Sequence, residues 1–158
     1  MFPITRLKDY LEQEKAPYQH QTHRTAYTSQ EVAAEEHIPG KIVAKSVVIR
    51  IDNTFALAVL PAPARVDVSA LKASLRAREL RLATEFEFTG LFTDCEVGAM
   101  PPFGNLYGLP VYVEQSLTQD EEIVFNAGTH QDTIRMKYAD FARLVRPQVI
   151  GFARGHAA

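Results

Sequence analysis

The sequence has little of three things: cysteine, long hydrophobic runs and excess charge. Its single cysteine, Cys95, excludes an intramolecular disulfide and agrees with a reducing compartment. No run approaches the roughly 20 apolar residues of a membrane-spanning helix. The first stretch, MFPITRLKDYLEQEK, becomes charged too early for a signal peptide, so we expect a cytoplasmic protein. The net charge of −2 excludes a globally basic nucleic-acid binder, so any contact with a polyanion has to be local.

The sequence also lacks the common catalytic fingerprints: there is no G-x-S-x-G, P-loop or dinucleotide motif. His20, His23 and His37 suggest a metal site, but they lack the HExxH context and the cysteines of a zinc site, so we expect no metal. Cys95 is a candidate nucleophile, yet no pattern pairs it with a base. A small packed side chain is the favoured interpretation of this cysteine.

Length and composition predict one domain over residues 1–158. The hydrophobic fraction of 46% and the charged fraction of 23% are those of an ordinary globular protein, and 158 residues suffice to bury a core without disulfides or metal.

Helical signals occur in four places. Apolar spacing predicts a helix over residues 5–15, and Thr28 with Glu31 forms a capping-box pattern that begins a second helix. A third helix is expected after Asp67, through VSALKASLRAR, and a fourth at YADFARLV. The third would place Lys72 and Arg76 side by side, an exposed basic edge that is either merely solvated or a local contact for a polyanion.

Strand signals alternate with these helices. IVAKSVVIRI and FALAVLP form a predicted central hairpin, followed later by LPVYVEQS, EIVFNAG, TIRMK and a last strand in QVIGFA. Hairpin-linked strands interleaved with helices predict a mixed α/β fold rather than a doubly wound parallel sheet.

Lys45 interrupts an apolar face of the first hairpin strand. Strand alternation puts it with Val43, Val47, Ile49 and Ile51. Because desolvating an ammonium group is costly, we expect this lysine to open onto a pocket. The alternatives are that it extends past a sheet edge to solvent, or that a bulge shifts the register.

Two loops carry the remaining signals. GAMPPFG, residues 98–104, combines two glycines with two prolines, so its backbone is unusually constrained. It is either a plain surface turn or a loop that offers its amides to a ligand. NAGTH ends a strand in a glycine-containing turn, where His130 is able to reach a ligand, although a lone loop histidine is more often structural.

Taken together, AKSVVI, LAVLPA, GAMPPFG, GLPVYVEQSL and IVFNAGTH occur in the order and approximate spacing of a known family. The chain resembles the free-standing YbaK-type aminoacyl-tRNA deacylases and the editing domain inserted in bacterial prolyl-tRNA synthetases. The resemblance implies a mixed, partly barrel-like β-sheet flanked by helices. It also implies hydrolysis of the ester that joins a wrong amino acid to the tRNA 3′ end, without cofactor or metal.

Carried onto this sequence, the resemblance implies that Lys45 and His130 are catalytic, with Lys45 orienting the ester or the terminal phosphate. Loop 98–104 would be a preorganised wall whose backbone holds the terminal adenosine and the ester. The implied substrate-binding residues are Ser46, Gly98, Ala99, Met100, Pro101, Pro102, Phe103, Gly104, Gly128 and Thr129.

The implied partner is the acceptor 3′ end of mischarged aminoacyl-tRNA, and an aminoacyl-tRNA synthetase is a further candidate partner. The pocket for the amino acid should be small, because apolar pockets separate neighbours by size only weakly and editing corrects that failure. The alternative function is a non-catalytic module that binds tRNA ends or a nucleotide-like ligand. A generic cysteine or metal hydrolase has only scattered residues in its favour.

Overall fold

Helices in the structure, a computed structural model that describes residues 3–154, begin at a capping side chain in three cases. Their bounds are α1 (Pro3–Gln13), α2 (Ser29–Glu36), α3 (Val68–Leu75), α4 (Glu85–Thr89) and α5 (Tyr138–Val145). At α2 the Thr28 hydroxyl accepts from the Glu31 amide and the Glu31 carboxylate accepts from the Thr28 amide, both at 3.1 Å. The predicted capping box is therefore confirmed.

The third helix is shorter than the sequence predicts. Arg76 has a φ of 53° and ends α3. Its amide donates to the Ala73 carbonyl and the Ala77 amide to the Lys72 carbonyl, an arrangement that closes a helix C-terminus. The prediction that Lys72 and Arg76 share one helical edge is wrong, because Arg76 leaves the helix.

Within residues 3–154 the strands are β1 (Tyr18–Thr22), β2 (Ala44–Ile51), β3 (Thr54–Pro61), β4 (Arg65–Val66), β5 (Leu80–Leu82), β6 (Val111–Glu114), β7 (Glu122–Asn126), β8 (Asp132–Lys137), β9 (Gln148–Ile150) and β10 (Ala153–Arg154). They form a mixed five-stranded sheet in the order β5-β2-β3-β6-β9, an antiparallel sheet β1-β8-β7 and the pair β10-β4. The β2–β3 hairpin lies centrally, as predicted. The predicted mixed α/β fold is confirmed.

The five-stranded sheet is buried on both faces. On one face, residues of β2 and β3 such as Val48 and Leu57 join a large core with α1 and α5. On the other, residues such as Ile49 and Leu60 pack in a second core with α3. Lys45 pairs with Leu60 and therefore lies on the second face. The sequence pattern suggested one core-facing side of β2, whereas both sides face a core.

The two larger sheets meet at one point. Val43 and Val124 form an isolated parallel bridge, so β2 and β7 leave it in the same direction. Lys45 and Asn126 both lie two residues beyond the bridge, and β7 then continues into turn 128–130. This junction brings the start of β2 alongside the end of β7.

Among residues 3–154, the helices are too short or too polar to cross a bilayer.

Candidate active site

Loop 98–104 is held in place by its own buried side chains. Its side chains from Ala99 to Phe103 are buried, and Phe103 packs at the centre of the large core against Phe125 and Phe141. A Cβ on Gly104 would lie 2.5 Å from the Leu109 carbonyl oxygen, so only glycine fits there. The buried apolar side chains fix the backbone of this loop, and its role toward substrate stays a prediction.

The loop is tied to turn 128–130 by backbone hydrogen bonds. The Glu96 amide donates to the Gly128 carbonyl at 2.8 Å, and the Gly128 amide donates to the Ala99 carbonyl at 2.9 Å. Gly128 has a φ of 98°, a conformation that favours glycine. Two segments that are distant in sequence therefore form one rigid backbone unit.

His130 is buried at the junction of these segments. Its amide donates to the Glu96 carboxylate at 2.7 Å, and its ring Nε2 lies 2.7 Å from the Val97 carbonyl. Because a carbonyl only accepts, Nε2 carries the proton, and Nδ1 of the neutral ring is an acceptor. Nδ1 is buried and has no hydrogen-bond partner among the described residues.

Gly98 lies directly beside this ring. A Cβ at Gly98 would be 3.5 Å from Cε1 of His130, and the glycine has a φ of 85°. Gly98 is exposed, and no hydrogen bond among residues 3–154 engages its amide. Gly98 and His130 are therefore neighbours, and each has one hydrogen-bonding atom, the Gly98 amide and the buried Nδ1 of His130, without a partner among the described residues.

The hydroxyl of Thr129 is used within the turn itself. It donates to Oδ2 of Asp132 at 2.6 Å and accepts from the amides of Gln131 and Asp132. Oδ1 of Asp132 also accepts a hydrogen bond from Nε2 of His20 at 2.7 Å. Burial opposes ionisation of Asp132, but these hydrogen bonds outweigh it and lower the pKa of the carboxyl. Thr129 thus shapes the turn, and its predicted role toward substrate stays a prediction.

Lys45 is half-buried at the start of β2. Its Nζ donates to the Ala62 carbonyl at 2.9 Å. Burial lowers the pKa of Lys45, and the nearby Arg65 adds to this effect. The β2–β3 register is continuous from Ala44 to Ile51, so there is no bulge in this hairpin. No hydrogen bond among the described residues joins Lys45 to His130 or to loop 98–104.

Ser46 lies on the other face of β2, opposite Val59, and faces the large core. Its hydroxyl oxygen is buried without a partner in the described part of the chain, as is Oδ1 of Asn126. A buried polar atom without a partner is costly. Such atoms near the β2–β7 junction are what a binding site would leave unsatisfied until substrate arrives.

Tyr27 is a residue that sequence reasoning missed. Its side chain is 70% exposed, and its ring centroid lies 5.0 Å from that of His130. The preceding residue, Ala26, donates its amide to the His130 carbonyl at 3.0 Å. An exposed aromatic ring beside loop and turn is suited to stacking against a nucleobase. Its position directly before the Thr28 cap was the one available sequence signal.

The three histidines considered for metal binding do not converge. His20 bonds Asp132, His23 is buried beside Glu36, and His37 is the left-handed residue that ends α2. Within residues 3–154 no group of three potential ligands is close enough to hold a metal ion.

Cys95 lies in a separate cluster. Its Sγ is 3.3 Å from the Tyr107 hydroxyl, which donates to Asp94 at 2.9 Å. Burial raises the pKa of the Cys95 thiol to about 12. A thiol that stays protonated at neutral pH is a poor nucleophile, so the geometry favours the packing role over the catalytic one.

The family model of the aminoacyl-tRNA editing domain matches residues 23–144. The chain belongs to this family. The matched range contains both Lys45 and His130. Membership confirms the predicted function, an aminoacyl-tRNA deacylase that hydrolyses an ester. The multifunctional Ser/Thr-tRNA deacylase ProXp-y of Escherichia coli strain K12 is 30% identical over 154 residues, which cover 94% of this chain and 92% of that protein.

Solved structures agree on the fold. A crystal structure of a candidate trans-editing enzyme for prolyl tRNA synthetase superposes with a TM-score of 0.83 at 22% identity, covering 97% of this chain and 98% of that one. The hypothetical protein APE2540 superposes with a TM-score of 0.84 at 16% identity, covering 94% and 99%. The predicted editing-domain fold is therefore confirmed.

Proposed function

We propose that this protein acts in trans, as a single cytoplasmic domain, on mischarged tRNA and hydrolyses the ester between the amino acid and the terminal adenosine. The observation that carries the proposal is that the Gly98 amide and Nδ1 of His130, neither of which has a partner among the described residues, belong to neighbouring residues on segments joined by backbone hydrogen bonds. Hydrolysis of an ester needs a donor for the developing oxyanion and an acceptor for a proton. These two atoms supply both.

In this proposal the ester carbonyl points at the Gly98 amide. Nδ1 of His130 accepts a hydrogen bond from the attacking water or from a ribose hydroxyl beside it, while Nε2 remains anchored on Val97. The anchor fixes the ring in one tautomer and one orientation, so no reorganisation is needed in the transition state.

Lys45 supplies the positive charge in this scheme. Its lowered pKa reflects a cation that the fold holds in an unfavourable, half-buried place, which is common where a charge serves function. A terminal phosphate or the ester oxygen would compensate that cost. Tyr27 is in a suitable place to stack on the terminal adenine.

For the amino acid, we propose serine and threonine as the first esters to test, since the curated relative is named for both. The buried Ser46 hydroxyl has no partner among the described residues, and a hydroxyl on the substrate side chain would provide one. A site built to hydrogen-bond a substrate hydroxyl rejects analogues that lack it far better than an apolar pocket separates sizes.

The test is a panel of tRNAs carrying serine, threonine, alanine, cysteine or proline, each incubated with purified protein while loss of the ester is followed. We expect turnover of at least one of the two hydroxyl amino acids, with alanine slower. Binding of the tRNAs without any hydrolysis would replace the enzyme by the non-catalytic module.

A further inference from the structure

One cavity of the described residues lies outside the candidate active site and is not lined by Lys45, His130 or loop 98–104. It has a volume of about 740 Å³, within the range of small-molecule sites. Its wall comes from the 3₁₀ turn Gln115–Gln119, the loop after β3 and the start of β10. The lining includes Lys41, Pro61, Pro63, Gln119, Asp120 and Val149. A cavity of this size is large enough to hold a small molecule.

The cavity adjoins the candidate active site through one residue. Ala62 accepts the hydrogen bond from Nζ of Lys45, and its neighbours on both sides, Pro61 and Pro63, line the cavity. The Ala62 amide in turn donates to the Val43 carbonyl at 2.9 Å, which fixes this segment. The cavity wall is therefore adjacent in the chain to the carbonyl that Lys45 contacts.

The cavity offers hydrogen-bonding groups and charge over an apolar floor. Oδ2 of Asp120 is buried and has no hydrogen-bond partner among residues 3–154. Burial raises the pKa of Asp120, while the nearby Lys41 opposes that rise. Pro63 and the half-exposed Val149 provide apolar surface, and the buried Pro61 lies beneath them in the lining. An acceptor, a cation and an apolar platform together suit a nucleotide, which has a base amine, a phosphate and a ring face.

We propose that this cavity binds the nucleotide that precedes the terminal adenosine, a cytidine in the CCA end of tRNA. Its exocyclic amine donates to Asp120, its phosphate lies near Lys41, and its base packs on Pro63 and Val149. Carboxylates commonly accept from the cytosine amine, and proteins read splayed single-stranded RNA ends in this way. This inference rests on the proposed function, since it assigns the next subsite for the same substrate.

The test compares two substrates, an aminoacylated RNA microhelix ending in CCA and a 3′-aminoacyl-adenosine that lacks the cytidine. Asp120→Ala and Lys41→Met should each lower kcat/KM on the microhelix about tenfold and leave the adenosine substrate within about twofold. Glu121→Ala is the matched control, because Glu121 is exposed, adjacent and of the same charge but does not line the cavity. Thermal melting checks that each variant folds.

Replacing the cytidine by uridine sharpens the test. Uracil presents a carbonyl where cytosine has its amine, so the wild type should lose about tenfold on the uridine microhelix, while Asp120→Ala should treat both alike. The proposal would be overturned if Asp120→Ala and Lys41→Met lost kcat/KM equally on the microhelix and on the aminoacyl-adenosine. It would also be overturned if Asp120→Ala kept the wild-type preference for the cytidine microhelix over the uridine one.

Binding of the uncharged trinucleotide CCA, followed by NMR, separates this inference from the proposed function. We expect shifts at Thr118, Gln119 and Asp120 that Asp120→Ala abolishes. A wild type that hydrolyses neither substrate would refute the deacylase alone, whereas a trinucleotide that leaves these amides unmoved would refute the subsite.

Discussion

Two polar clusters flank loop 98–104, and they use their hydrogen-bonding atoms in opposite ways. In the first, the Tyr107 hydroxyl lies between Asp94 and Cys95, at 2.9 Å from Oδ1 and 3.3 Å from Sγ. The guanidinium of Arg6 stacks 4.7 Å from the centroid of the Tyr107 ring and lies 3.6 Å from Asp94. Each polar group of this cluster has a partner inside the protein.

In the second cluster, His130 has one ring nitrogen anchored and the other buried without a partner among the described residues. Gly98 beside it has an exposed amide that no described hydrogen bond uses. Satisfied polar groups stabilise a fold, whereas polar atoms without a partner leave capacity for a ligand. The contrast predicts that changes in the first cluster alter stability and that changes in the second alter catalysis.

The largest effect is expected from His130→Ala. The variant loses the free acceptor but keeps the backbone bond from residue 130 to Glu96, so the turn should persist. We expect a loss of kcat of about a hundredfold or more, the usual contribution of a general base. Single-turnover deacylation of the best substrate measures it. A variant with at least half the wild-type rate would move the reaction away from this histidine.

Lys45→Met should follow, with a loss of about a hundredfold in kcat/KM because one electrostatic contact to the reacting group disappears. The free energy of unfolding should rise in the same variant. Burial lowers the pKa of Lys45 below the ordinary 10.5, so protonation favours the unfolded chain and the charge subtracts stability at neutral pH.

The pH dependence of melting checks this sign. Lys45→Met should melt at a higher temperature than the wild type at neutral pH. The difference in melting temperature should shrink as the pH rises from the folded-state pKa toward 10.5, because the wild-type lysine loses its charge over this range. Melting below the wild type would identify Lys45 as a structural residue.

Tyr107→Phe is the matched change in the first cluster. It removes the hydroxyl that donates to Asp94 and keeps the ring, so we expect a loss of about 1 kcal/mol in the free energy of unfolding. Denaturant titration measures that loss. Turnover should stay within about twofold of wild type, and a tenfold loss of kcat would mean that this cluster takes part in catalysis.

The smallest effect is expected from Cys95→Ser. The thiol is protonated at neutral pH because burial raises its pKa to about 12. We expect turnover within about twofold of wild type and no inactivation by a thiol reagent in the native protein. Stoichiometric inactivation by such a reagent at Cys95 would restore the nucleophile hypothesis.

Local signals predicted the elements that have them. The Thr28 capping box, the β2–β3 hairpin and helix α5 could be read from the sequence, since each rests on neighbouring residues. Strand β1 could not, because its residues YQHQT are largely exposed and show no alternation; pairing with β8 creates it. In α4 the alternating sequence EFEF resembles a strand, but the Thr84–Glu87 capping box makes it a helix.

The candidate site divides in the same way. Lys45, His130 and the glycines of the loop carried sequence signals. The groups that orient them did not, because Glu96, the Val97 carbonyl and Tyr27 meet His130 only through the fold. Strand alternation predicted which residues share a face of β2 with Lys45. It did not predict the surroundings of that face, because both faces of β2 are buried.

The most direct test of the account measures melting and single-turnover deacylation on the same preparations of wild type, His130→Ala and Tyr107→Phe. The account predicts that His130→Ala loses about a hundredfold or more in rate and little stability, while Tyr107→Phe loses stability and keeps its rate. The reverse pattern, or two variants that lose rate and stability together, would contradict the assignment of Gly98 and His130 as the reacting site.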